Sequence, residues 1–226
     1  MKKKRIVVVG ASGHARVVLD ILRLQGLYEV AGLLDTYRPE GITCSGHRVI
    51  GTCRDLRPLV SGGLVWGGIV AIGDNWMRSR VVDEIRGFVP DFPFITAIHP
   101  SAQIAEDAVI GEGSAVMAGA VINPGCELGE FCIVNTRASL DHDSVMERYA
   151  SLGPAAATGG CVRIGAYSVI GIGAVVLQDI QVGNHSVVGA NATVLKNVPS
   201  QVVAYGSPAR VIRPRKPGDP YLSKSY

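Results

Sequence analysis

An aliphatic residue recurs at every sixth position through the second half of this chain, and this period constrains the fold more than any other feature. The series keeps one register from Ile98 to Val194 and departs from it only at Thr158. Its members are Ile98, Ile104, Ile110, Val116, Ile122, Leu128, Val134, Leu140, Met146, Leu152, Ile164, Ile170, Val176, Val182, Val188 and Val194. An α-helix repeats at about 3.6 or 7 residues, whereas a hexapeptide repeat is typical of a parallel β-helix. The pattern therefore predicts one short strand for each six-residue unit, with the chain turning a corner between units.

Two small-residue positions accompany the aliphatic series. A small residue often stands four positions later, where we expect it to leave room for the corner: Ala102, Ala108, Ser114, Ala120, Ala138, Ala174, Ser186 and Ala192. Glycine often follows directly, where we expect it to relax the corner backbone: Gly111, Gly129, Gly153, Gly165, Gly171, Gly183 and Gly189. Chance would not hold these positions in one register over so many consecutive units.

The residues before the hexads follow a different pattern, in which predicted strands alternate with predicted helices. Residues 5–9 form a β-branched run, glycines then interrupt it, and residues 14–25 carry apolar side chains at helical spacing. Further strands are predicted at 28–34, 64–72 and 94–98, and a second helix at 74–86. This rhythm predicts a Rossmann-like α/β domain built on a small parallel sheet.

The change of pattern divides the chain into three predicted segments. We expect an α/β domain at 1–97, an all-β parallel β-helix at 98–212 and a C-terminal tail at 213–226.

Composition excludes several classes of partner. Charged residues make up only 18% of the chain, and the net charge of +3 comes from scattered basic residues, so nothing favours nucleic acid binding. No apolar stretch approaches the length of a membrane span. The five cysteines include no CxxC pair, and their odd number argues against a disulfide framework. We therefore expect a cytoplasmic protein without nucleic acid or membrane partners.

The unbroken hexads resemble those of the left-handed β-helix acyltransferases, which build each coil from three hexads and assemble as trimers. The N-terminal segment adds to this likeness, because residues 7–14 read VVVGASGH, Asp74-Asn75 follows a predicted strand and residues 98–102 read IHPSA. Together these motifs resemble the sialic-acid O-acetyltransferase-like group, which includes sugar-nucleotide N-acetyltransferases. The segment Asp141-His142-Asp143, with residues 116–119, 135–136 and 152–155, is most similar to the GDP-perosamine N-acetyltransferases.

This resemblance implies an activity and an assembly. It implies direct transfer of an acetyl group from acetyl-CoA, through a tetrahedral intermediate, to the C4 amine of a nucleotide-linked 4-amino-4,6-dideoxy sugar. It also implies a cytoplasmic homotrimer with active sites between subunits, acting in lipopolysaccharide O-antigen biosynthesis. One alternative stays open within the enzyme class, namely O-acetylation of a sugar of the sialic-acid type with the same base and donor. The nucleotide-type pattern of residues 1–97 favours the amine.

Acetyl transfer to an amine needs a base for the attacking nitrogen and a donor for the oxyanion. Histidine is the usual base near neutral pH, and of the five histidines His142 is flanked by acidic residues. The resemblance assigns the base to His142, preceded by Asn135 and followed by Asp143. Because side chains alternate along a strand, only one of Asp141 and Asp143 is expected to reach the imidazole, and the resemblance favours Asp143. It gives Asn135 a role in placing the amine, whereas a plain corner residue is the alternative.

Four further positions carry expectations for acetyl-CoA. Gly160 follows His142 by 18 residues and therefore lies one coil along, on the same side, in a three-hexad coil. The resemblance implies that the Gly160 N–H faces the thioester carbonyl, and a plain corner glycine is the alternative. It further implies that the Ala190 backbone contacts the pantetheine, and that Pro208 and Arg210 close over the coenzyme near its phosphates.

The turn after the first strand is the candidate phosphate site. Gly10, Ser12, Gly13 and His14 lie where a strand gives way to a helix, and such a turn presents backbone N–H groups and a helix dipole to an anion. It lacks the full GxGxxG pattern, so a tight structural turn is the alternative.

Two other residues join this turn in the expected pocket. Asp35 ends the second predicted strand and is expected to help hold the nucleotide, and the resemblance adds Asn75. Thr36 stands where some relatives carry a second aspartate, which leaves both GDP and UDP open.

Two other function classes fit the sequence less well. A β-helix scaffold or metal-binding sensor would need several histidines placed as metal ligands, and the histidine spacing gives no such cluster, so no metal is expected. An NAD-dependent redox domain would need an attached catalytic domain, which the hexads do not provide.

Overall fold

A computed structural model gives the structure of residues 3–222. The chain divides between Pro100 and Ser101 into two compact units, three residues from the boundary that the sequence predicts. Residues 1, 2 and 223–226, which belong to the predicted first and last segments, lie outside the described residues. No helix within residues 3–222 combines the length and the apolar character needed to cross a membrane.

The first unit is an α/β domain around one five-stranded sheet. Its elements are β1 (Lys4–Val9), α1 (Gly13–Gln25), β2 (Tyr28–Leu34), β3 (Thr43–Cys44), β4 (His47–Gly51), a 3₁₀ helix (Cys53–Asp55), α2 (Leu56–Ser61), β5 (Gly67–Val70), α3 (Asn75–Phe88) and β6 (Ala97–Ile98). The sheet order is β3-β4-β2-β1-β5, with all pairs parallel except β3–β4.

Strand β1 lies inside this sheet, between β2 and the edge strand β5. Its residues 6–9 are buried, as expected for a strand covered on both faces. The chain leaves β1 and β5 at the same edge, through residues 10–12 and 71–74, at the point where the strand order reverses. Ligands of open parallel sheets bind in the crevice beside such a switch point.

Helix α1 packs one apolar stripe onto this domain. The buried residues Ala15, Val18, Leu19 and Leu22 follow the spacing of a single helical face. The helix ends at Gly26, whose positive φ of 65° lets its N–H return to the Leu22 carbonyl. This geometry confirms the helix predicted at 14–25 from apolar spacing alone.

Other elements of the first unit differ from the prediction. The strand predicted at 64–72 is confined to β5, and the one at 94–98 shortens to β6, because Phe94 makes only an isolated bridge to Gly68. Four elements are absent from the sequence prediction: strands β3 and β4, and the two short helices between residues 53 and 61. These strands are two and five residues long, so they leave little periodicity to detect.

The second unit is a three-sided parallel β-helix of two-residue strands. One side contains β7 (Gln103–Ile104), β10 (Val121–Ile122), β13 (Ser139–Leu140), β16 (Ala157–Thr158), β19 (Val175–Val176) and β22 (Thr193–Val194). The next contains β8 (Val109–Ile110), β11 (Glu127–Leu128), β14 (Val145–Met146), β17 (Arg163–Ile164) and β20 (Gln181–Val182). On the third lie β9 (Ala115–Val116), β12 (Ile133–Val134), β15 (Ser151–Leu152), β18 (Val169–Ile170), β21 (Val187–Val188), β23 (Val202–Gly206) and β24 (Ala209–Pro214).

The hexad register becomes the core of this β-helix. Each strand pairs in parallel with the strand one coil away, as Ile122 does with Leu140. From β9 to β22 the second residue of every strand is buried, and these are the aliphatic positions of the repeat. Thr158 also points into this core, at 7% exposure, and its hydroxyl accepts the Asp141 N–H at 3.0 Å. The only break in the series therefore satisfies a backbone donor.

The expected role of the glycines that follow the aliphatic positions was wrong. A Cβ on Gly111 would lie 2.5 Å from the Gly129 carbonyl carbon, and one on Gly153 would lie 2.9 Å from that of Gly171. Neither residue has positive φ, so these glycines permit close stacking of coils rather than an unusual backbone angle. The left-handed corner conformation falls two residues later, mostly at non-glycine residues such as Phe131 and Asp143.

The C-terminal strands close the third side of the β-helix. β23 pairs in parallel with β21, and β24 turns back antiparallel to β23. The predicted tail at 213–226 therefore begins inside β24. Beyond it, Arg215 is buried and donates from its guanidinium to the His185 carbonyl at 2.9 Å.

Candidate active site

The imidazole of His142 and the carboxylate of Asp143 meet at the corner between β13 and β14. His142 Nδ1 lies 2.8 Å from Asp143 Oδ2. Asp143 takes the left-handed conformation, with φ of 56°, which turns its side chain back toward the residue before it. Both side chains are open to solvent, at 57% and 67% exposure. With the Nδ1 proton donated to Asp143, Nε2 is the nitrogen able to accept a proton.

Three carboxylates surround this imidazole with negative charge. The hydrogen bond to Asp143 is the largest influence and raises the pKa of His142. Burial opposes it, and the charges of Asp141, Asp143 and Asp179 raise the pKa further. A higher pKa makes the neutral ring a stronger proton acceptor and stabilises the imidazolium that forms.

Asp141 performs a different task from Asp143. Its Oδ1 accepts the backbone N–H of His142 at 2.8 Å and the Asn123 side-chain amide at 2.6 Å. These bonds, the His142 amide foremost, lower the pKa of Asp141 and keep it ionised. Because Thr158 receives the Asp141 N–H, Asp141 fixes the backbone of the corner while Asp143 contacts the ring.

Gly160 lies directly against the His142 ring, one coil along. A Cβ at this position would stand 2.4 Å from Nε2 and 2.5 Å from Cε1 of His142. The coil is tied to the previous one by the Cys161 N–H, which donates to the His142 carbonyl at 2.8 Å. Glycine is therefore needed here for the ring to occupy its place, and its expected role as an oxyanion donor remains a prediction.

The His142 corner also includes a thiol. Ligand atoms of His142, Asp143 and Cys161 all lie within 4.8 Å of one another, and residues of these types bind zinc. However, all three side chains are exposed, and the Nδ1–Asp143 hydrogen bond already engages two of them. We assign no metal to this group, and the expectation of a metal-free enzyme remains a prediction.

Several residues of this corner lay outside the sequence prediction. Thr158 had a detectable signal, because it breaks the aliphatic series. Asn123 and Asp179 had none, since their contacts depend on which residues stack on neighbouring coils.

Asn135 occupies a different corner of its coil from His142. It follows β12 and precedes β13, whereas His142 follows β13. Its Oδ1 accepts the Thr136 N–H at 2.8 Å, which is the local bond of a corner residue. The single chain therefore does not bring Asn135 to the candidate base.

The positions expected to hold the coenzyme are similarly divided. Gly160 shares the His142 corner, whereas Ala190 is exposed on the corner after β21, the same corner as Asn135. Pro208 lies in the connection between β23 and β24, and Arg210 lies in β24 with its exposed guanidinium donating to the Ala209 carbonyl at 3.0 Å. The structure therefore places the coenzyme candidates on more than one side of the β-helix.

In the first unit, Gly10 and Asp35 hold the turn after β1. Gly10 has φ of 112°, and a Cβ there would approach the Ala71 carbonyl oxygen to 2.9 Å, so glycine is required. One carboxylate oxygen of Asp35 accepts the Ala11 N–H at 2.7 Å, and the other accepts the N–H groups of residues 37 and 38. Asp35 therefore has a structural role in fixing the turn, and its expected contact with a nucleotide would be a second role.

The start of α1 contains the other three candidates. Ser12 is the exposed N-cap, with no hydrogen bond from its side chain to the helix. Nothing lies within 4 Å of a Cβ built on Gly13, so packing does not require glycine there. Burial, together with the charge of Arg78, lowers the pKa of His14 to about 4, and the imidazole is neutral at physiological pH.

Asn75 lies at the start of α3 and is almost fully buried, at 1% exposure. Its side-chain oxygen accepts a hydrogen bond from the guanidinium of Arg78 at 2.7 Å. Sequence analysis did not identify Arg78, because an arginine at one position of an amphipathic helix gives no sign that it is buried.

Comparison with known proteins places these two units in one family. Residues 5–85 match the PglD N-terminal domain, and residues 161–196 match the bacterial transferase hexapeptide repeat. The crystal structure of a GDP-perosamine N-acetyltransferase variant from Caulobacter crescentus, in complex with CoA and GDP-perosamine, is 35% identical. It superposes with a TM-score of 0.88 over 94% of this chain and 98% of that one. The chain belongs to the hexapeptide-repeat sugar-nucleotide N-acetyltransferases.

Other members of this N-acetyltransferase family agree with that placement. The acetyltransferase domain of PglB from Neisseria gonorrhoeae is 33% identical, with a TM-score of 0.85 over 93% of this chain and all of that domain. UDP-N-acetylbacillosamine N-acetyltransferase of Bacillus subtilis is 33% identical over 128 residues, which is about half of each chain (51% and 52%). Membership in the N-acetyltransferase family confirms the predicted fold class, an α/β domain followed by a left-handed β-helix, and the predicted class of enzyme.

Proposed function

We propose that this chain transfers the acetyl group of acetyl-CoA to the C4 amine of a nucleotide-linked 4-amino-4,6-dideoxy sugar, with His142 as the general base. The observation that carries the proposal is the His142–Asp143 pair, packed against Gly160, in a chain 35% identical to an enzyme crystallised with CoA and GDP-perosamine.

The geometry supports a direct transfer. The neutral amine attacks the thioester carbonyl, and His142 Nε2 accepts the proton that the nitrogen must lose. The tetrahedral intermediate then expels the CoA thiolate, which takes up a proton to leave as the free thiol. Asp143 keeps the ring in place and stabilises the imidazolium, and the charges of Asp141 and Asp179 add to this stabilisation.

The same negative charge also favours the acceptor. An amino sugar is largely protonated near neutral pH, so the carboxylates around His142 attract it as a cation, which releases one proton to solvent before the neutral amine attacks. A hydroxyl acceptor would gain nothing from this field. The charge around the base therefore supports an amine over the hydroxyl of the alternative O-acetylation.

Acetyl-CoA is the co-substrate in this proposal. The PglB acetyltransferase domain was crystallised with acetyl-CoA and the C. crescentus enzyme with CoA. Gly160 would donate its N–H to the thioester oxygen, Ala190 would contact the pantetheine, and Pro208 and Arg210 would cover the nucleotide end. No metal takes part.

The first unit would hold the sugar nucleotide. The turn containing Gly10, Ser12, Gly13 and His14 stands beside the switch point of the sheet, where helix N-termini receive phosphate groups. Asn75 begins the second helix at this edge. The Asp35 carboxylate stabilises the turn by accepting the Ala11 N–H.

The enzyme would act as a homotrimer with active sites between subunits, in a reducing cytoplasm. The separation of Asn135 and Ala190 from the His142 corner supports this assembly, because neighbouring subunits can supply complementary corners. Exposed apolar side chains on the β-helix, among them Ile172 at 59% and Val175 at 47%, also need a cover. Light scattering is expected to give three times the mass of the chain, and a stable monomer would refute the assembly.

The proposal is tested by thiol release from acetyl-CoA with GDP- and UDP-linked 4-amino sugars and with their 4-hydroxy analogues. We expect turnover on one amino sugar and a loss of at least about 10²-fold in kcat/KM for His142→Ala. His47→Ala, a histidine of β4 outside the proposed site, serves as the control and should keep full activity. Full activity of His142→Ala would refute the base, and turnover only on the hydroxy sugars would refute the acceptor.

A further inference from the structure

Arg78 is a buried arginine beneath the turn between β5 and α3. It is 1% exposed and is the largest fully buried side chain among the described residues. Its guanidinium donates to the Ile72 carbonyl at 2.9 Å, the Gly73 carbonyl at 3.1 Å and the Asn75 side-chain oxygen at 2.7 Å. An arginine is rarely buried so completely, and this one binds three successive parts of a single turn.

The charge of Arg78 acts on the His14 imidazole, at the neighbouring turn after β1. Burial is the main reason why the pKa of His14 falls to about 4, and the charge of Arg78 lowers it further, so His14 is neutral at physiological pH. The same sheet edge carries the carboxylates of Asp35, which accepts the Ala11 N–H, and of Asp74, which caps α3 through the Met77 N–H. An anion approaching this edge therefore meets two acidic groups, a neutral histidine and the Arg78 cation.

We propose that Arg78 is a positioning residue for the diphosphate of the sugar nucleotide: it shapes the β5–α3 turn and supplies positive charge to the sheet edge where the diphosphate binds. This inference rests on the proposed function in one respect, namely that the ligand of the first unit is a sugar nucleotide. A buried charge is screened less than an exposed one, so it acts on an anion without direct contact. Its hydrogen bonds to Ile72, Gly73 and Asn75 hold the turn at a fixed distance from that charge.

The test measures binding of GDP and UDP to the full chain by calorimetry, with no acetyl-CoA present. Arg78→Met removes the charge and is expected to weaken binding of the preferred nucleotide by about tenfold or more. Arg78→Lys keeps the charge with fewer hydrogen bonds and should stay within about threefold of the wild type. Arg80→Met is the matched control on the same helix, because Arg80 is exposed and pairs only weakly with Asp83 at 3.8 Å, and its affinity should not change.

Steady-state kinetics separates this role from a merely structural one. Arg78→Met should raise the KM for the sugar nucleotide by the same factor as the loss of nucleotide affinity, and leave kcat and the KM for acetyl-CoA unchanged. Equal losses in Arg78→Lys and Arg78→Met would overturn the proposal, because Lys keeps the positive charge that Met lacks.

Arg78→Gln decides the matter if Arg78→Met does not fold. Its side-chain amide keeps a hydrogen-bond donor beneath the turn but carries no charge, and it should weaken nucleotide binding by about tenfold. Unchanged affinity would overturn the proposal, and so would a wild type that binds neither GDP nor UDP. A wild type that shows no acetyl transfer would instead refute the proposed function, provided that the Arg78 variants still differ in nucleotide affinity according to their charge.

Discussion

Adding a single methyl group at Gly160 should strongly reduce the activity of the enzyme without unfolding it. In Gly160→Ala the new Cβ would stand 2.4 Å from His142 Nε2 and 2.5 Å from Cε1. Non-bonded atoms need about 3.5 Å, so the ring must retreat by about 1 Å. Because the imidazole is exposed, it can swing away at little cost in stability, whereas the backbone N–H of residue 160 is retained.

The expected size of the effect follows from that displacement. A misplacement of about 1 Å in a catalytic group costs about 10²-fold in rate, or about 2.7 kcal/mol of transition-state stabilisation. The kcat/KM of Gly160→Ala for the amino sugar should fall by this factor in the thiol-release assay. Its melting temperature should stay within about 2 °C of the wild type, since a change of 1 kcal/mol moves a chain of this size by about 2–4 °C.

Gly159→Ala is the matched control, because the neighbouring glycine meets backbone instead of a mobile ring. A Cβ on Gly159 would lie 2.7 Å from the Gln178 nitrogen on the next coil. We expect Gly159→Ala to melt at a clearly lower temperature, in contrast to Gly160→Ala. Activity within threefold of the wild type in Gly160→Ala would refute the assignment of His142 as the base in its observed position.

Two further changes test the support of the His142 corner. Asp143→Asn removes the hydrogen bond that most raises the pKa of His142. Because only the unprotonated ring accepts a proton, the acidic limb of the kcat/KM–pH profile should move to lower pH, with a plateau at least about tenfold lower; an unshifted limb would contradict this role. Thr158→Val restores the aliphatic repeat but leaves the Asp141 N–H without its acceptor, so urea denaturation should show a loss of about 1 kcal/mol. A variant as stable as the wild type would show that the hydroxyl is dispensable.

The sequence predicted the repeating part of this fold well because a β-helix core repeats along the chain. Each coil must bury a side chain at the same place, so the register from Ile98 to Val194 specifies strands and core together. The first unit was predicted where its elements are long: β2 occupies the predicted 28–34, and α3 begins one residue after the predicted start. The two-residue strand β3, turning through Ser45 and Gly46 at positive φ into β4, was too short for periodicity to detect.

The candidate site was predictable only in part, because its hydrogen bonds join residues on different coils. The sequence predicted, from strand alternation, that a single aspartate would reach His142, but it left the choice between Asp141 and Asp143 open. These residues lie in a corner between β13 and β14, where alternation does not apply. The left-handed conformation at Asp143 turns that carboxylate onto the ring. Asp141 instead bonds to Asn123, 18 residues away, and to Thr158.

The sequence by itself determined the two kinds of architecture, the register of the β-helix core and the histidine beside acidic residues, since these follow from local pattern and residue type. Only the tertiary structure decided that Gly160 makes room for the His142 ring, that Asn135 lies on another corner and that Arg78 is buried beneath its turn. The physical reason is that periodicity states which way a side chain faces. What the side chain meets there depends on how far the chain advances in each coil and on where a helix packs, and no single segment of sequence encodes either.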